Sequence, residues 1–283
     1  HQYLIFLCWV KRMLEALRNP DQHLPGQILC FVGPIDCGKT LCQTVTTPIF
    51  GGRSADPALF LTGATPFNDA LWAAEHLVMD DENLPDSRAA QKTFRDRVKK
   101  IVAEPVFPVH RKYRGEITLR PIWRIFLSAN DDPDSAFILP GLGSLADKVI
   151  YLKCWKPPTP FPTVGSEEAA AFWKTLVDAI PAFVAELDDF EIPKELRKSR
   201  FGVAEYHHPE IVDLIKSLSV EDELGDVLDS WLQTQLNPEI RKCAVDLYAD
   251  LDDFTHGRIR GISRSAKHLG HQLHRLSSED GWR

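Results

Sequence analysis

GPIDCGKT, Gly33 to Thr40, follows the apolar run Ile28-Leu29-Cys30-Phe31-Val32 and precedes a segment with helical character. A buried strand that runs into a glycine-bracketed turn and then a helix start aims successive backbone N–H groups and the positive end of a helix dipole at one point. A phosphate suits that point. The pattern G-x-x-x-x-G-K-[ST] then assigns roles: Gly33 and Gly38 let the backbone approach the phosphates, Lys39 reaches the outer ones, and the Thr40 hydroxyl can ligate Mg²⁺. The nucleotide-binding set is therefore Gly33, Pro34, Ile35, Asp36, Cys37, Gly38, Lys39, Thr40 and Leu41. A chance match in a glycine turn is disfavoured by the strand before it and the helix after it.

Downstream, Leu71 to Glu82 reads LWAAEHLVMDDE, an apolar run that ends in acids. In parallel α/β sheets the carboxyl ends of strands border the ligand crevice, so these acids are expected beside the phosphates. One carboxylate would hold Mg²⁺ and the next would orient or deprotonate the attacking water. Three acids compete for two roles. Asp81 is assigned to the metal and Glu82 to the water, with Asp80 and Asp81 as the alternative register. A strand ending in a solvated acidic turn is the plain reading, weakened because the phosphate loop demands a strand of this kind.

The chain has 283 residues, a net charge of −7 and 44% apolar content, enough for a full core and about two domains. An acidic protein is on average a poor nucleic-acid binder, but the charge is unevenly spread. Residues 88–124 hold eleven Lys or Arg against three acids, a local +8 on an otherwise acidic chain. That confines polyanion binding to one surface. Residues 87–102 read as a helix with Ser87 as N-cap and basic residues at 88, 92, 95, 97, 99 and 100. Next, VFPVHRKYRGEITLR, 106–120, has two β-rich arms around a tip carrying His110, Arg111, Lys112, Tyr113 and Arg114. Such a tip offers donors for sugar-phosphate contacts and a ring for base stacking, without a sequence code. The strand at 122–128 then leads to Asn130, whose amide can bond the γ-phosphate or the attacking water, or serve simply as turn chemistry before two Asp residues.

A helix is expected at 3–18, a short helix at 39–47 stopped by Pro48, and a last strand at 148–152. Prolines at 157, 158, 160 and 162 form a stiff connector, so the domain reading is 1–156, a linker at 157–165, and a mainly helical domain at 166–283. In the latter, a helix starts at Ser166 and runs to Pro181, and others lie near 209–218, 220–235 and 238–251. ISRSAKHLGHQLHRL, 262–276, has the form of the second helix of a helix-turn-helix, with a possible winged helix over 238–283. His268, His271 and His274 drift around a helix and do not make a metal site. Six cysteines at 8, 30, 37, 42, 154 and 243 form no CxxC pair, and no signal or membrane-spanning run is present. The expectation is free thiols, a cytoplasmic setting and no membrane partner. A chain that opens on His1 reads as a piece of a longer protein.

Taken together, GPIDCGKT, LVMDDE, FRDRVKKIVAEPVFPVHRKYRGEI and WRIFLSAN resemble the motifs of the superfamily 3 helicases, the hexameric replication motors of viruses, phages, plasmids and other mobile elements. The matching segments cover about a third of the chain, and Gly33 to Asn130 spans 98 residues. The hairpin between the acidic strand and Asn130 is the discriminating feature, since P-loop kinases lack it. The resemblance implies an α/β, AAA+-like P-loop core with a parallel sheet and a β-hairpin insertion, followed by the smaller helical domain. ATP and Mg²⁺ would sit between subunits of a homo-hexamer, and the hairpins would line a channel that grips single-stranded DNA. Lys39 and Thr40 would bind nucleotide and metal, Asp81 and Glu82 would be the acidic pair, and Asn130 the sensor. His110, Arg111, Lys112 and Arg114 would contact DNA, with Lys112 foremost. Where family members place an arginine finger this chain reads Ala146-Asp147-Lys148, so Lys148 would supply the charge without the bidentate fork of Arg. A fused or separate primase is a further implied partner. The activity implied is an ATP-dependent helicase or translocase of DNA replication, the alternative being a nucleotide-driven oligomerising switch or defence-type ATPase that unwinds nothing.

Overall fold

A computed structural model describes residues 1–80, 88–132, 139, 143–156, 165–217, 220–235 and 241–276. The chain forms two compact units, His1–Val212 and Asp213–Arg283.

The first unit is built on five strands: β1 (Ile28–Val32), β2 (Ser54–Ala55), β3 (His76–Met79), β6 (Arg124–Ala129) and β7 (Val149–Lys153). They lie in the order β2-β3-β6-β1-β7, and every pairing is parallel. β1 and β6 are buried at every position, as expected of strands covered on both faces. Two further strands, β4 (Phe107–Val109) and β5 (Ile117–Leu119), pair antiparallel as a separate hairpin between β3 and β6 in the chain. Residues 206–208 cover the free edge of β7: Tyr151 N–H donates to Tyr206 O at 2.8 Å, and His208 N–H to Tyr151 O at 3.1 Å.

Helix α1 (Gln2–Arg18) turns Ile5, Cys8, Trp9 and Met13 inward, the spacing of one helical face. Trp9 packs on Phe50 and on Phe126 of β6, with centroids 5.6 and 5.9 Å apart. Its indole N–H donates to Gln27 O at 2.8 Å, so the ring is buried without an orphaned donor. Helix α2 (Lys39–Ile49) follows the phosphate-loop sequence, and α3 (Ala58–Thr62) and α4 (Arg88–Ala103) follow in turn. α4 buries Phe94, Val98, Ile101 and Val102 while its basic residues Arg95 and Lys100 stay exposed.

Helix α5 (Ser166–Asp189) and helix α2 each run past a proline expected to stop them. Pro181 lies inside α5, and Pro48 lies inside α2, although each residue lacks the N–H of the helical ladder. Residues on both sides of Pro181 explain its tolerance: Ile180, Phe183, Val184 and Leu187 all join the cluster around α1. Lys11 Nζ donates to Leu187 O at 2.7 Å, and Arg18 pairs with Asp188. This docking places 166–189 within the first unit, so the units divide after Val212 and not at the proline stretch, of which only Gly165 is among the described residues.

Helix α6 (Pro209–Ser217) crosses that division. In the second unit α7 (Val220–Leu232), α8 (Ala244–Phe254), α9 (Ile259–Ile262) and α10 (Ala266–Leu276) enclose Leu224, Leu228, Trp231, Leu251, Ile259, Ile262 and Leu269. Among the described residues of 238–283 there are helices and no strand, so a wing is not seen there.

Candidate functional site

The phosphate-loop sequence spans the gap between β1 and α2, at the carboxyl edge of the sheet. Neighbouring strands pin its root on both sides: Gly33 N–H donates to Ala129 O at 3.2 Å, and Cys154 N–H donates to Val32 O at 2.7 Å. The fit is close enough to demand glycine at 33, because a Cβ there would lie 2.5 Å from Cys154 O. Gly38 has φ +91° and Asp36 φ +60°, left-handed conformations suited to glycine and tolerated by a short polar side chain. Gly33→Ala is expected to destabilise the first unit by about 1–3 kcal/mol through overpacking. Urea unfolding of the intact chain measures this, and an unchanged midpoint would mean that Cys154 can move aside.

Lys39 opens α2 and is 9% exposed. Its ammonium donates to Gly33 O and Pro34 O, both at 2.9 Å, and to Asn130 Oδ1 at 3.0 Å. These two residues, 91 positions apart in sequence, are thus joined directly. Neutral carbonyls are modest acceptors, and a phosphate oxygen would bind the same ammonium more strongly. Thr40, Leu41, Ile35 and Asp36 are exposed around the loop. Gln43, which the sequence reading passed over, anchors the helix by donating to Met79 O and Phe126 O, each at 3.1 Å. Three thiols gather beneath: burial chiefly, then the nearby Cys37 and Cys42, pushes Cys154 up to about 12. A neutral thiol there is packing, not a nucleophile.

On the acidic side, the register Met79↔Leu127 brings Asp80 opposite Ser128, whose hydroxyl donates to Asp80 Oδ1 at 2.5 Å. Asp80 is the first residue beyond β3, on the strand next to β6, and β6 in turn adjoins β1. Asp81 and Glu82 lie outside the described residues. A buried glycine cradle, an ammonium, an exposed Thr40 hydroxyl and a carboxylate at this edge are a donor and acceptor set that fits a triphosphate with Mg²⁺.

Lys148 is not brought to this edge in its own chain. Val149 pairs with Ile28 while Lys153 pairs with Val32, so Lys148 precedes β7 at the opposite end of the sheet. It pairs with Asp147, which also accepts from Arg200 at 2.8 Å. Burial raises the Asp147 carboxyl, but the bond to Lys148 and the charges of Lys148 and Arg200 outweigh it and hold the group below its ordinary value. Arg200, half exposed, carries no sequence signal that would have linked it to Lys148.

The hairpin places His110, Arg111, Lys112 and Arg114 on one turn between β4 and β5. Asn68 holds its base: His110 N–H donates to Asn68 Oδ1 at 2.8 Å, and Asn68 Nδ2 to Pro108 O at 2.9 Å. At the tip Tyr113 is 94% exposed at φ +59°, with the Lys112 ammonium 5.3 Å from its ring centroid. His110 faces Glu116 at 3.2 Å. Below the tip, Phe60, Arg97, Lys100, Phe107 and His110 line a cleft of about 250 Å³, with Arg97 4.6 Å above the Phe60 ring. Four residues separate the end of β5 from the start of β6, which finishes immediately before Asn130. The hairpin root and the phosphate-loop edge are therefore the two ends of one buried strand, roughly 20 Å long.

No family model matches the chain, and no curated protein matches it. Solved structures do. Two apo structures of the NrS-1 C-terminal region align with TM-scores of 0.54 and 0.56 at 13% identity. They cover 81% and 83% of this chain and 51% and 56% of theirs. A third, at TM-score 0.55 and 10% identity, covers 98% of this chain and 69% of that one. A JCV helicase structure with a bound small molecule aligns at TM-score 0.33 and 14% identity, over 78% of this chain and 61% of the other. The chain thus spans little more than half the length of the first two, and at these identities what it shares with the NrS-1 region is the fold.

Proposed function

We propose that this chain is the motor portion of an ATP-dependent DNA helicase or translocase of the replication type, working as a homo-hexamer on single-stranded DNA. The observation that carries the reading is β6, which ends beside Asn130 and its bond to Lys39 and begins at the root of the cationic hairpin. In this reading residues 33–41 cradle ATP, with Lys39 exchanging its carbonyl partners for phosphate oxygens and Asn130 orienting the attacking water. Thr40 and Asp81, or Asp80 in the alternative register, would hold Mg²⁺, which when bound neutralises charge developing on the phosphates. Glu82, or Asp81, would accept the proton of that water.

A rearrangement of Asn130 on hydrolysis would shift β6 as a rigid element and with it the hairpin, carrying Lys112, His110, Arg111 and Arg114 along a DNA strand. Phosphate contacts hold without sequence preference, as translocation requires. Lys148, buried and paired with Asp147 at the opposite end of the sheet, would have to leave that partner to reach a neighbouring subunit's nucleotide, and Arg200, exposed across Asp147, is the second cation there. The fork that Lys148 lacks favours a second reading, a nucleotide-driven oligomerising switch. Strand displacement separates the two, because a switch would assemble with nucleotide yet separate no strands.

Lys112→Ala is expected to lower DNA-stimulated ATP hydrolysis at least about tenfold at low salt while basal hydrolysis stays within about twofold. Wild-type protein whose hydrolysis ignores single-stranded DNA would end the motor reading. Particle mass with an ATP analogue and oligo(dT) together is expected to show a six-fold species.

A further inference from the structure

The second unit separates its charges. Residues 213–257 hold eleven acids against three Lys or Arg, whereas the nineteen residues 258–276 hold five Lys or Arg, three His and no acid. α9 and α10 lie within that basic segment, joined by the three residues 263–265. The turn is held locally: His268 N–H donates to Ser265 Oγ at 3.2 Å, and Gln272 Nε2 to Ile262 O at 3.1 Å. Leu269 and Gln272 are buried, at 0% and 1% exposure, so α10 has one fixed inner face. Its outer side is equally defined. Arg264 in the turn, then Lys267, His271 and His274 on the helix, are all exposed at intervals of three and four residues, which aligns them in one stripe. Arg260 is engaged with Asp252. Among the described residues Arg264 and Lys267 have no carboxylate partner.

We infer that α10 is a duplex-DNA docking helix, with Arg264, Lys267 and His271 contacting phosphates along a groove, distinct from the single-strand contacts of the hairpin. The stripe from 264 to 274 is about 15 Å long, and a helix of this kind fits the major groove. Single strands are gripped by stacking their bases on aromatic rings. Residues 255–276 contain no Phe, Tyr or Trp, so the surface offers charge without a stacking platform. A short turn leading into an exposed, core-anchored helix is also the geometry by which helix-turn-helix proteins approach duplex. The ATP site plays no part in this inference.

The test uses the full chain and compares binding of a fluorescein-labelled blunt duplex with binding of an equally long oligo(dT), by anisotropy over a salt series. The double variant Arg264→Glu, Lys267→Glu is expected to weaken duplex binding at least about tenfold and to reduce the salt slope by about two, the loss of two phosphate contacts. Oligo(dT) binding and ATP hydrolysis should stay at wild-type levels, and thermal melting should be unchanged because both side chains are exposed. Absence of wild-type duplex binding, a duplex affinity unmoved by the double variant, or an equal loss on oligo(dT) would each overturn the docking role. Lys112→Ala run in parallel keeps the two readings apart, since it is expected to weaken oligo(dT) and leave the duplex alone.

Discussion

Lys39→Ala is expected to reduce nucleotide affinity at least about thirtyfold and to bring ATP hydrolysis to background, because it deletes charge-assisted bonds worth about 2 kcal/mol or more. The structure makes the prediction specific. Lys39 is held at the loop by two of its own carbonyls and by Asn130, so its ammonium is already placed where the glycine turn and the α2 start converge. Removing it takes a donor from Gly33 O and Pro34 O, but the loop keeps its root through the bonds from Gly33 N–H to Ala129 O and from Cys154 N–H to Val32 O. Melting should therefore move little while titration with a fluorescent ATP analogue shows the loss. Asn130→Ala provides the contrast: it removes one partner of Lys39 and the amide proposed to orient the attacking water, so under that proposal kcat should fall with KM close to wild type. Normal nucleotide affinity in Lys39→Ala would mean that GPIDCGKT is not the phosphate site.

Mild acid is expected to weaken the first unit by about 2–3 kcal/mol between pH 6.5 and 4.5, ahead of any carboxylate effect. His76, the first residue of β3, is fully buried, with its ring 5.3 Å from Phe50 and 5.9 Å from Phe126 and its Nδ1 2.8 Å from Thr47 Oγ1. Burial lowers its pKa to about 4. Below pH 6.5 the unfolded chain takes up a proton that the folded one refuses, so stability is complete above 6.5 and is lost as pH falls toward 4. His23 acts in the same direction, lowered by burial and, against a bond to Ala103, by the charges of Arg120 and Arg124. Urea unfolding as a function of pH measures the slope. His76→Phe should flatten much of it, and Thr47 keeps a partner in that variant because its hydroxyl also donates to Gln43 O at 3.2 Å. A slope identical in wild type and variant would place the acid sensitivity elsewhere.

Much of this was readable along the chain. The strands at 28–32 and 149–153, the helix from 2 to 18 and the hairpin all fall where apolar periodicity and turn residues put them. What misled was a local rule applied without its tertiary counterweight. Pro48 and Pro181 mark helix ends by their own chemistry, yet α5 continues because four apolar residues around Pro181 pack on α1. The proline stretch at 157–165 looks like a domain border for the same reason. Asp80 entered only as the alternative register and Gln43 escaped notice because their roles depend on which strand lies next to which, and Arg200 escaped because it meets Asp147 from 53 positions away.

By itself the sequence determined the stereochemistry of the Gly33–Thr40 turn, the position of the cationic tip and the segregation of charge, since each depends on residues within one turn, one hairpin or one helix. Only the tertiary structure decided that β6 lies between β1 and β3, and hence that Asn130, Asp80 and Lys39 share an edge while Lys148 lies at the other. Strand order is a choice among long-range pairings settled by burial over the whole sheet, and no short stretch of residues encodes it.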